Sequence, residues 1–211
     1  MIPTREEMLE ALALRHGKDL QDRFTSASVA VCGLGGLGSN IAVSLARAGV
    51  GHLTLIDFDR VDISNLNRQQ YLPAQLGLPK AKAMRDNVLA IAPYCDVRAF
   101  DMKLTPDNIA ELTQGCTVIA EAFDKPEQKA MLCNFVLEQL PDRYLVAASG
   151  MAGLGSSNEI TTRRVSRRFY LCGDGKSDVA DGLGLVSARV ALCAAHQANM
   201  ILRLIAGETD P

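Results

Sequence analysis

The stretch Val29-Ala-Val-Cys-Gly-Leu-Gly-Gly-Leu-Gly38 joins a short apolar run to a turn with four glycines in six residues. The apolar run predicts a buried strand, and the pattern from about Leu37 to Ala48 predicts a helix that stops at Gly49. Strand, G-x-G-x-x-G turn and helix in this order form the dinucleotide fingerprint, in which helix N–H groups bind phosphate. The residues that we expect to contact a nucleotide here are Gly33, Gly35, Gly36, Leu37 and Gly38.

An acidic residue completes this fingerprint. Asp57 ends the second apolar run, His52–Ile56, roughly 20 residues beyond the turn, where a carboxylate can accept hydrogen bonds from ribose hydroxyls. No Gly-Lys-Ser/Thr closes the turn, so it is not a P-loop. The fingerprint alone favours a nicotinamide cofactor, and a glycine-rich turn without any ligand is the alternative.

Outward from this unit, strand and helix patterns alternate as far as Ser149. Such alternation predicts right-handed βαβ units and a parallel sheet. Beyond it, strands near 159–165 and 169–172 with no helix between them predict an antiparallel extension, and a long helix follows over about 185–205. The other predicted elements are strands at 96–100, 118–123 and 144–149 and helices at 79–91, 105–112 and 126–140.

The fold class is therefore α/β: a Rossmann-like, doubly wound, mostly parallel sheet with an antiparallel C-terminal extension. We expect a single domain over residues 26–207. Thr4 and Glu7 form a capping box, so we expect one N-terminal helix within residues 1–25 that runs to about Phe24.

Composition excludes several classes. The 211 residues are 48% hydrophobic with a formal net charge of −2, which disfavours a binder that neutralises many nucleic-acid phosphates. No signal peptide and no apolar run of about 18 residues is present, so we expect a cytoplasmic protein with no membrane partner. The six cysteines are scattered without a Cys-x-x-Cys, which predicts reduced thiols and no paired-thiolate zinc site.

The segment after the second strand, Asp57–Gln69, is unusually rich in polar groups. Arg68 can hold phosphate oxygens bidentately, while Asn65 and Gln69 can donate to phosphate. Asp59 adds a second acid close to Asp57. The alternative is a solvated loop in which Ser64 and Asn65 only cap a turn.

Two later residues favour a nucleotide triphosphate. Lys80 follows Pro79 in the first helical turn, where a cation opposes the helix dipole at a cost of roughly 0.3–1 kcal/mol. A bound phosphate would remove that cost, although an exposed lysine could tolerate it. Asp124 follows the fourth strand, where it could hold Mg²⁺ or only cap the next helix.

Together these motifs resemble the adenylation domain shared by ThiF, MoeB and the ubiquitin-activating enzymes. The resemblance covers about residues 26–207. Its later segments are similar to the short ThiF branch that lacks zinc. The residues that carry the resemblance are Gly33–Gly38, Asp57, Asp59, Ser64–Gln69, Pro79, Lys80, Asp124, Ala148–Gly153, Tyr170–Asp174 and Ala195–Asn199.

The resemblance implies an enzyme that uses ATP and Mg²⁺ to adenylate the C-terminal carboxylate of a ubiquitin-like sulfur carrier ending in Gly-Gly. A ThiS-like carrier of thiamine thiazole biosynthesis is the implied partner, although molybdopterin and cysteine pathways use similar carriers. The enzyme is implied to be a homodimer. Asp57 would bind ribose, with Asp59 beside it. Arg68 and Lys80 would bind the phosphates near Asn65 and Gln69, and Asp124 would coordinate Mg²⁺.

The sequence departs from the family pattern in its cysteines and its N-terminus. Cys172 is the lone remnant of the zinc cysteines, and the loop 173–182 has no reactive thiol. Cys172 could be reactive or simply semi-buried, and we expect His196 to be a satisfied core or interface residue. Arg15 is the nearest substitute for the arginine that relatives send into the partner subunit's site.

Three other functions remain open from the sequence. A nicotinamide-dependent oxidoreductase explains the glycine turn and Asp57, but not Lys80 and Asp124. An ATP-dependent enzyme acting on a modified tRNA base has the same fold, but the near-neutral charge and the lack of a basic extension disfavour it. A nucleotide-sensing scaffold would not need every phosphate-binding residue. The arginine pairs Arg163-Arg164 and Arg167-Arg168 form either a solvated rim or a contact with an acidic carrier.

Overall fold

The computed structural model describes residues 2–211, and within them the chain forms seven strands and seven α-helices. The strands are β1 (Ser28–Cys32), β2 (His52–Ile56), β3 (Asp96–Phe100), β4 (Val118–Glu121), β5 (Tyr144–Ala148), β6 (Thr161–Ser166) and β7 (Phe169–Gly173). The helices are α1 (Arg5–His16), α2 (Lys18–Ser26), α3 (Gly36–Arg47), α4 (Lys80–Ile91), α5 (Ile109–Leu112), α6 (Pro126–Gln139) and α7 (Ser187–Ala206).

All seven strands belong to one sheet in the order β3-β2-β1-β4-β5-β7-β6. Every neighbouring pair is parallel except β6 and β7. The chain moves outward from β1 to β3 and then returns to place β4 on the other side of β1. This reversal makes a crevice beyond the carboxyl ends of β1 and β4, which is where ligands bind in open α/β sheets.

The predicted α/β fold is confirmed, with one refinement at the C-terminal end of the sheet. The β6–β7 hairpin is antiparallel, as expected. However, β7 lies between β5 and β6 and pairs in parallel with β5. Only β6 therefore runs against the rest of the sheet, as its outer edge strand.

Three predicted elements were wrong in detail. The single N-terminal helix is broken at Gly17, whose φ of 92° cannot continue a helix. The helix near Thr105 begins only at Ile109; residues 106–108 form a turn, which the Asn108 side chain closes by accepting from Thr105 N. Strand β4 ends at Glu121 instead of Phe123, whose N–H donates to the Glu121 carboxylate.

The core lies on both faces of the sheet, as expected for a doubly wound fold. Alternate residues of β1 point to opposite faces, with Val29 on one and Ala30 on the other. The first face is covered by α3, α4 and α7, and the second by α5 and α6. No helix within residues 2–211 combines the length and apolarity needed to cross a bilayer.

Candidate nucleotide-binding site

A cavity of about 420 Å³ lies at the carboxyl ends of β1, β2 and β4, at the crevice that the strand order creates. The structure brings together residues from the glycine turn, the 57–69 segment, the start of α4 and the β4–α6 loop. Of the residues predicted for the site, Gly38 alone does not line it. Those that do are Gly33, Gly35, Gly36, Leu37, Asp57, Asp59, Asn65, Arg68, Gln69, Lys80 and Asp124.

The glycine turn presents main chain to this cavity. A methyl group on Gly38 would lie 1.8 Å from the carbonyl oxygen of Gly33, so the third glycine permits α3 to pack against the turn. A methyl group on Gly35 would meet only Gln69 Nε2, at 3.8 Å, and would otherwise fill open space. No side chain among residues 2–211 caps α3 at Gly35, so its first N–H groups can bind an anion.

Asp57 connects the glycine turn to the end of β2 by a side-chain hydrogen bond. Its Oδ2 accepts from Leu34 N at 2.6 Å and its Oδ1 accepts from Asp59 N at 2.8 Å. Burial raises the pKa of Asp57, while these hydrogen bonds and the nearby Lys80 oppose the rise. Each carboxylate oxygen keeps a second lone pair, so Asp57 can still accept from a ribose hydroxyl.

Lys80 is held in place by Asp59. Its Nζ lies 3.1 Å from Asp59 Oδ2, and its main-chain N–H donates to Asp59 O at 2.8 Å. The Lys80 side chain is only 7% exposed, while that of Asp59 is 51% exposed. Asp59 therefore supplies within the chain part of the negative charge that we expected from a phosphate, and the pair fixes the ammonium at the cavity.

Arg68 and Gln69 line the cavity wall, and each has one buried polar atom without a hydrogen-bond partner in the part of the chain that the structure describes. The Arg68 stem lies over Gly36, and its guanidinium donates to Ser64 O and Asn67 Oδ1. Arg68 Nε and Gln69 Oε1 are buried and have no hydrogen-bond partner within residues 2–211. Buried polar atoms are normally paired, so the hydrogen bonding of these two side chains is incomplete within the chain itself.

Asn65 caps a turn, as the alternative interpretation of this segment predicted, and it also lines the cavity. Its Oδ1 accepts from Asp62 N at 3.2 Å, which closes a capping box on a short 3₁₀ turn, Ile63–Asn65. Its carbonyl oxygen accepts from the N–H groups of Arg68 and Gln69. Asn65 therefore shapes the segment that carries the arginine, and we keep direct phosphate contact as a proposal.

Three anchors of this segment were missed by sequence reasoning. Asn40, on α3, donates to Arg68 O at 3.1 Å. Ser39 Oγ accepts from Gln70 N at 3.1 Å, and Tyr71 Oη donates to Leu34 O at 2.8 Å. The sequence signal was the adjacent polar pair Ser39 and Asn40 in the first half of a mostly apolar helix. These contacts hold the polar segment against α3 and the glycine turn.

Asp124 is exposed and lines the cavity. The N-cap residue of α6 is Lys125, so the alternative of Asp124 as a helix cap is wrong. No hydrogen bond to its carboxylate occurs within residues 2–211. No group of three His, Cys, Asp or Glu side chains in that range could hold a metal. A lone carboxylate still fits Mg²⁺, which is commonly held by one or two carboxylates plus phosphates and waters.

The rest of the cavity offers an apolar slot that was also missed by sequence reasoning. Ile56, Met102, Leu104 and Phe123 line it. They come from three separate segments, so no local pattern marked them. Apolar walls of this kind suit a planar base, because stacking and burial favour its faces.

Cys172, His196 and Arg15 lie outside the cavity lining. Burial raises the pKa of the Cys172 thiol to about 11, which disfavours the reactive thiolate. Thr162 Oγ1 lies 3.5 Å from Cys172 Sγ and 3.0 Å from His196 Nδ1. The histidine is thus a hydrogen-bonded, half-buried residue, as expected. Arg15 is exposed on α1.

The fold and cavity define a nucleotide-binding α/β protein whose glycine turn, buried acid, arginine and lysine converge on one crevice. Residues 9–211 match the ThiF family, and the chain belongs to that family. Its fold matches that of solved structures related to this family, so the family resemblance inferred from the motifs is confirmed.

The names of individual relatives describe different activities. The chain is 40% identical to the Escherichia coli tRNA threonylcarbamoyladenosine dehydratase over 122 residues, which are 57% of this chain and 46% of that protein. It is 36% identical to a Thermus thermophilus sulfur carrier protein adenylyltransferase over 131 residues, 62% of this chain and 43% of that one. The matches thus span about half the length of these relatives.

Among solved structures, the E. coli dehydratase in complex with ATP is similar, with a TM-score of 0.86 and 24% identity over 98% of both chains. At that identity the likeness shows the fold alone.

Proposed function

We propose that this chain is an adenylyltransferase that transfers AMP from ATP to the C-terminal glycine carboxylate of a ubiquitin-like sulfur-carrier protein. The partner would be ThiS-like and end in Gly-Gly, and the enzyme would act as a homodimer with Mg²⁺. The observation that carries the ATP site is the convergence of Arg68, Lys80 and the uncapped N-terminus of α3 on one cavity at the carboxyl ends of the strands.

The cavity can be divided by chemistry. The apolar slot of Ile56, Met102, Leu104 and Phe123 suits adenine, and Asp57 suits the ribose. The phosphates would lie near the N–H groups of α3, Arg68 and Lys80, with Asn65 and Gln69 alongside. Asp124 would hold Mg²⁺ together with phosphate oxygens, and the metal would neutralise charge on the pyrophosphate as it leaves.

The reaction needs charge compensation more than proton transfer. A C-terminal carboxylate has a pKa of about 3.5 and is already ionised at neutral pH. One of its oxygens would attack the α-phosphorus, and the bond to the pyrophosphate oxygen would break. Arg68 and Lys80 would lower the barrier by neutralising charge around the phosphates, while the glycine turn positions the nucleotide.

The loops beside the cavity favour a protein acceptor over tRNA. Residues 150–160 and 174–186 contribute Met151 and Leu185 to the lining. Their four carboxylates include Asp174, which is buried against Arg189, and Glu159, which pairs with Lys176. The exposed Asp178 and Asp181 leave these loops with a net negative charge. A nucleic-acid backbone would be repelled by this charge. The exposed apolar side chains on the same loops are Leu154, Val179 and Leu183, and these suit a protein surface.

A tRNA acceptor is the second candidate, because the 40% identical E. coli relative is named a tRNA threonylcarbamoyladenosine dehydratase. Arginines of the β6–β7 hairpin, Arg163, Arg164, Arg167 and Arg168, are the basic cluster that could contact RNA. Since β7 is parallel to β5, the tip of this hairpin lies at the amino edge of the sheet, opposite the cavity. A cluster there is poorly placed to deliver a base to the crevice.

ATP–pyrophosphate exchange tests the proposal. We expect exchange that requires a Gly-Gly-terminated carrier and disappears when its last glycine is deleted. A carrier with an intact tail but amidated C-terminus is the matched control, since it keeps the docking surface and loses the nucleophile. Exchange supported by unmodified or modified tRNA, but by no carrier, would overturn the carrier proposal and leave the ATP site intact.

A further inference from the structure

A buried ion pair lies directly beneath the loop that carries Asp124. Glu121, the last residue of β4, has a side chain that is 0% exposed. Lys129 reaches it from α6, with its Nζ 3.0 Å from Oε1 and 2.8 Å from Oε2. Neither residue lines the cavity, so neither contacts the nucleotide directly.

This pair holds the loop by its main chain. The N–H of Phe123 donates to Glu121 Oε1 at 2.7 Å, and Lys129 Nζ donates to Phe123 O at 3.1 Å. Both polar main-chain groups of the residue before Asp124 are thus bound to the pair.

From the opposite face, Gln197 on α7 fixes the same strand end. Its Nε2 donates to the carbonyl oxygens of Glu121 and Val146, at 2.9 and 3.2 Å. Gln197 is fully buried. Glu121, at the end of β4, is therefore held by its side chain on one face of the sheet and by its carbonyl oxygen on the other.

Stability alone does not explain a charged pair at this position. An apolar pair of similar volume is often as stable as a buried ion pair, or more stable. The neighbouring α6 residues Leu132 and Val136 fill the same layer with apolar groups. An apolar pair could not form the two hydrogen bonds to the main chain of Phe123.

We propose that Glu121 and Lys129 are positioning residues that fix the 122–124 loop so that the Asp124 carboxylate faces the metal and phosphates. The proposal rests on the role of Asp124 in the proposed function, but not on the identity of the acceptor. Groups hydrogen-bonded to metal ligands typically change metal affinity by roughly 10- to 100-fold, and Glu121 and Lys129 act one step further out, through the main chain of Phe123. Loss of the pair should therefore weaken metal-dependent nucleotide binding and spare binding of the nucleotide itself.

The test compares ATP affinity with and without a divalent metal, by calorimetric titration with no acceptor present. The probe metal is Mn²⁺, and the metal-free titration contains EDTA. For the double variant Glu121→Leu/Lys129→Met we expect unchanged metal-free affinity and a roughly tenfold smaller gain from Mn²⁺. Asp124→Asn should lose the gain as well. The matched control is Lys18→Met/Asp22→Leu, which removes an exposed ion pair on α2 and should leave both affinities unchanged.

A double variant that folds and keeps the full Mn²⁺ gain would overturn the proposal, and so would an Asp124→Asn variant that keeps it. If the double variant does not fold, Glu121→Gln replaces it. The amide retains an acceptor for Phe123 but weakens the contact with Lys129, so the gain should fall by a smaller factor. An unchanged gain in this variant would also overturn the proposal. None of these titrations depends on whether a carrier or tRNA supports exchange.

Discussion

Replacing either of two lysines near the cavity by methionine should lower the free energy of unfolding by very different amounts. Lys80 and Lys129 each pair with a carboxylate at about 3 Å, but the partners differ in exposure. The Asp59 side chain is 51% exposed and the Glu121 side chain is 0% exposed. Replacement by methionine keeps most of the side-chain volume and removes the charge. Asp59 can then be hydrated by water, whereas Glu121 would lose its counterion in the interior, where burial already raises its pKa.

The expected magnitudes follow from this difference. Lys129→Met should cost about 3–5 kcal/mol of unfolding free energy, because it strands a buried charge. For a chain of this size each kcal/mol lowers Tm by about 2–4 °C, which gives a drop of about 6–20 °C. Lys80→Met breaks a half-exposed pair and should cost under about 1 kcal/mol. If the proposed function holds, it should nevertheless slow adenylation by about a hundredfold or more, since the ammonium that we propose neutralises the phosphates is lost.

The assays are thermal unfolding by calorimetry and ATP–pyrophosphate exchange with the carrier, both at one pH and well below either Tm. Asp59→Asn is the control for Lys80→Met, because it breaks the same pair and keeps the ammonium. We expect this control to retain much more exchange than Lys80→Met. Equal loss of stability in the two lysine variants would refute the reasoning from burial. Exchange within a few-fold of wild type in Lys80→Met would remove that residue from the mechanism.

Further predictions concern the glycine turn, the cysteine and the loops beside the cavity. Gly38→Ala should abolish ATP binding or folding, because its methyl group would lie 1.8 Å from Gly33 O; near-normal ATP binding by calorimetry would contradict this packing. Cys172→Ser should retain exchange within a few-fold. The wild-type thiol, with its pKa raised to about 11, should also resist iodoacetamide at pH 8, as followed by mass spectrometry, since it stays protonated there. Arg189→Met should leave the buried Asp174 carboxylate without its partner, which lies 2.6 Å from it. The 150–156 and 174–178 loops should then become sensitive to limited proteolysis, and wild-type resistance would show that Arg189 does not hold them in place.

The part of the site that could be predicted from the sequence consists of residues that lie close together along the chain. The glycine turn, the strand before it and Asp57 belong to one βαβ unit, in which local patterns specify each element and its order. Arg68 and Lys80 lie on segments that return to the same crevice, because the carboxyl ends of parallel strands share one edge of the sheet. This geometry follows from the topology, so these polar lining residues could be listed without knowledge of side-chain packing, whereas those of the apolar slot were missed.

Long-range contacts account for what sequence reasoning missed. The sequence does not reveal that Gln197 reaches Glu121, 76 positions away, or that Asn40 holds Arg68, 28 positions away. Pro126 marked the start of α6, but whether Asp124 capped it depended on the main-chain path. That path is fixed by an ion pair whose two members look like ordinary surface residues in the sequence.

The alternation of strands and helices, read with the glycine fingerprint, was thus sufficient for the α/β class and the location of the crevice, because both follow from hydrophobic periodicity and chain handedness. Packing of distant segments decided that β7 lies between β5 and β6, that Cys172 is buried, and that Glu121 and Lys129 meet under the Asp124 loop. Burial of an individual polar group depends on every element packed around it, and no local pattern contains that information.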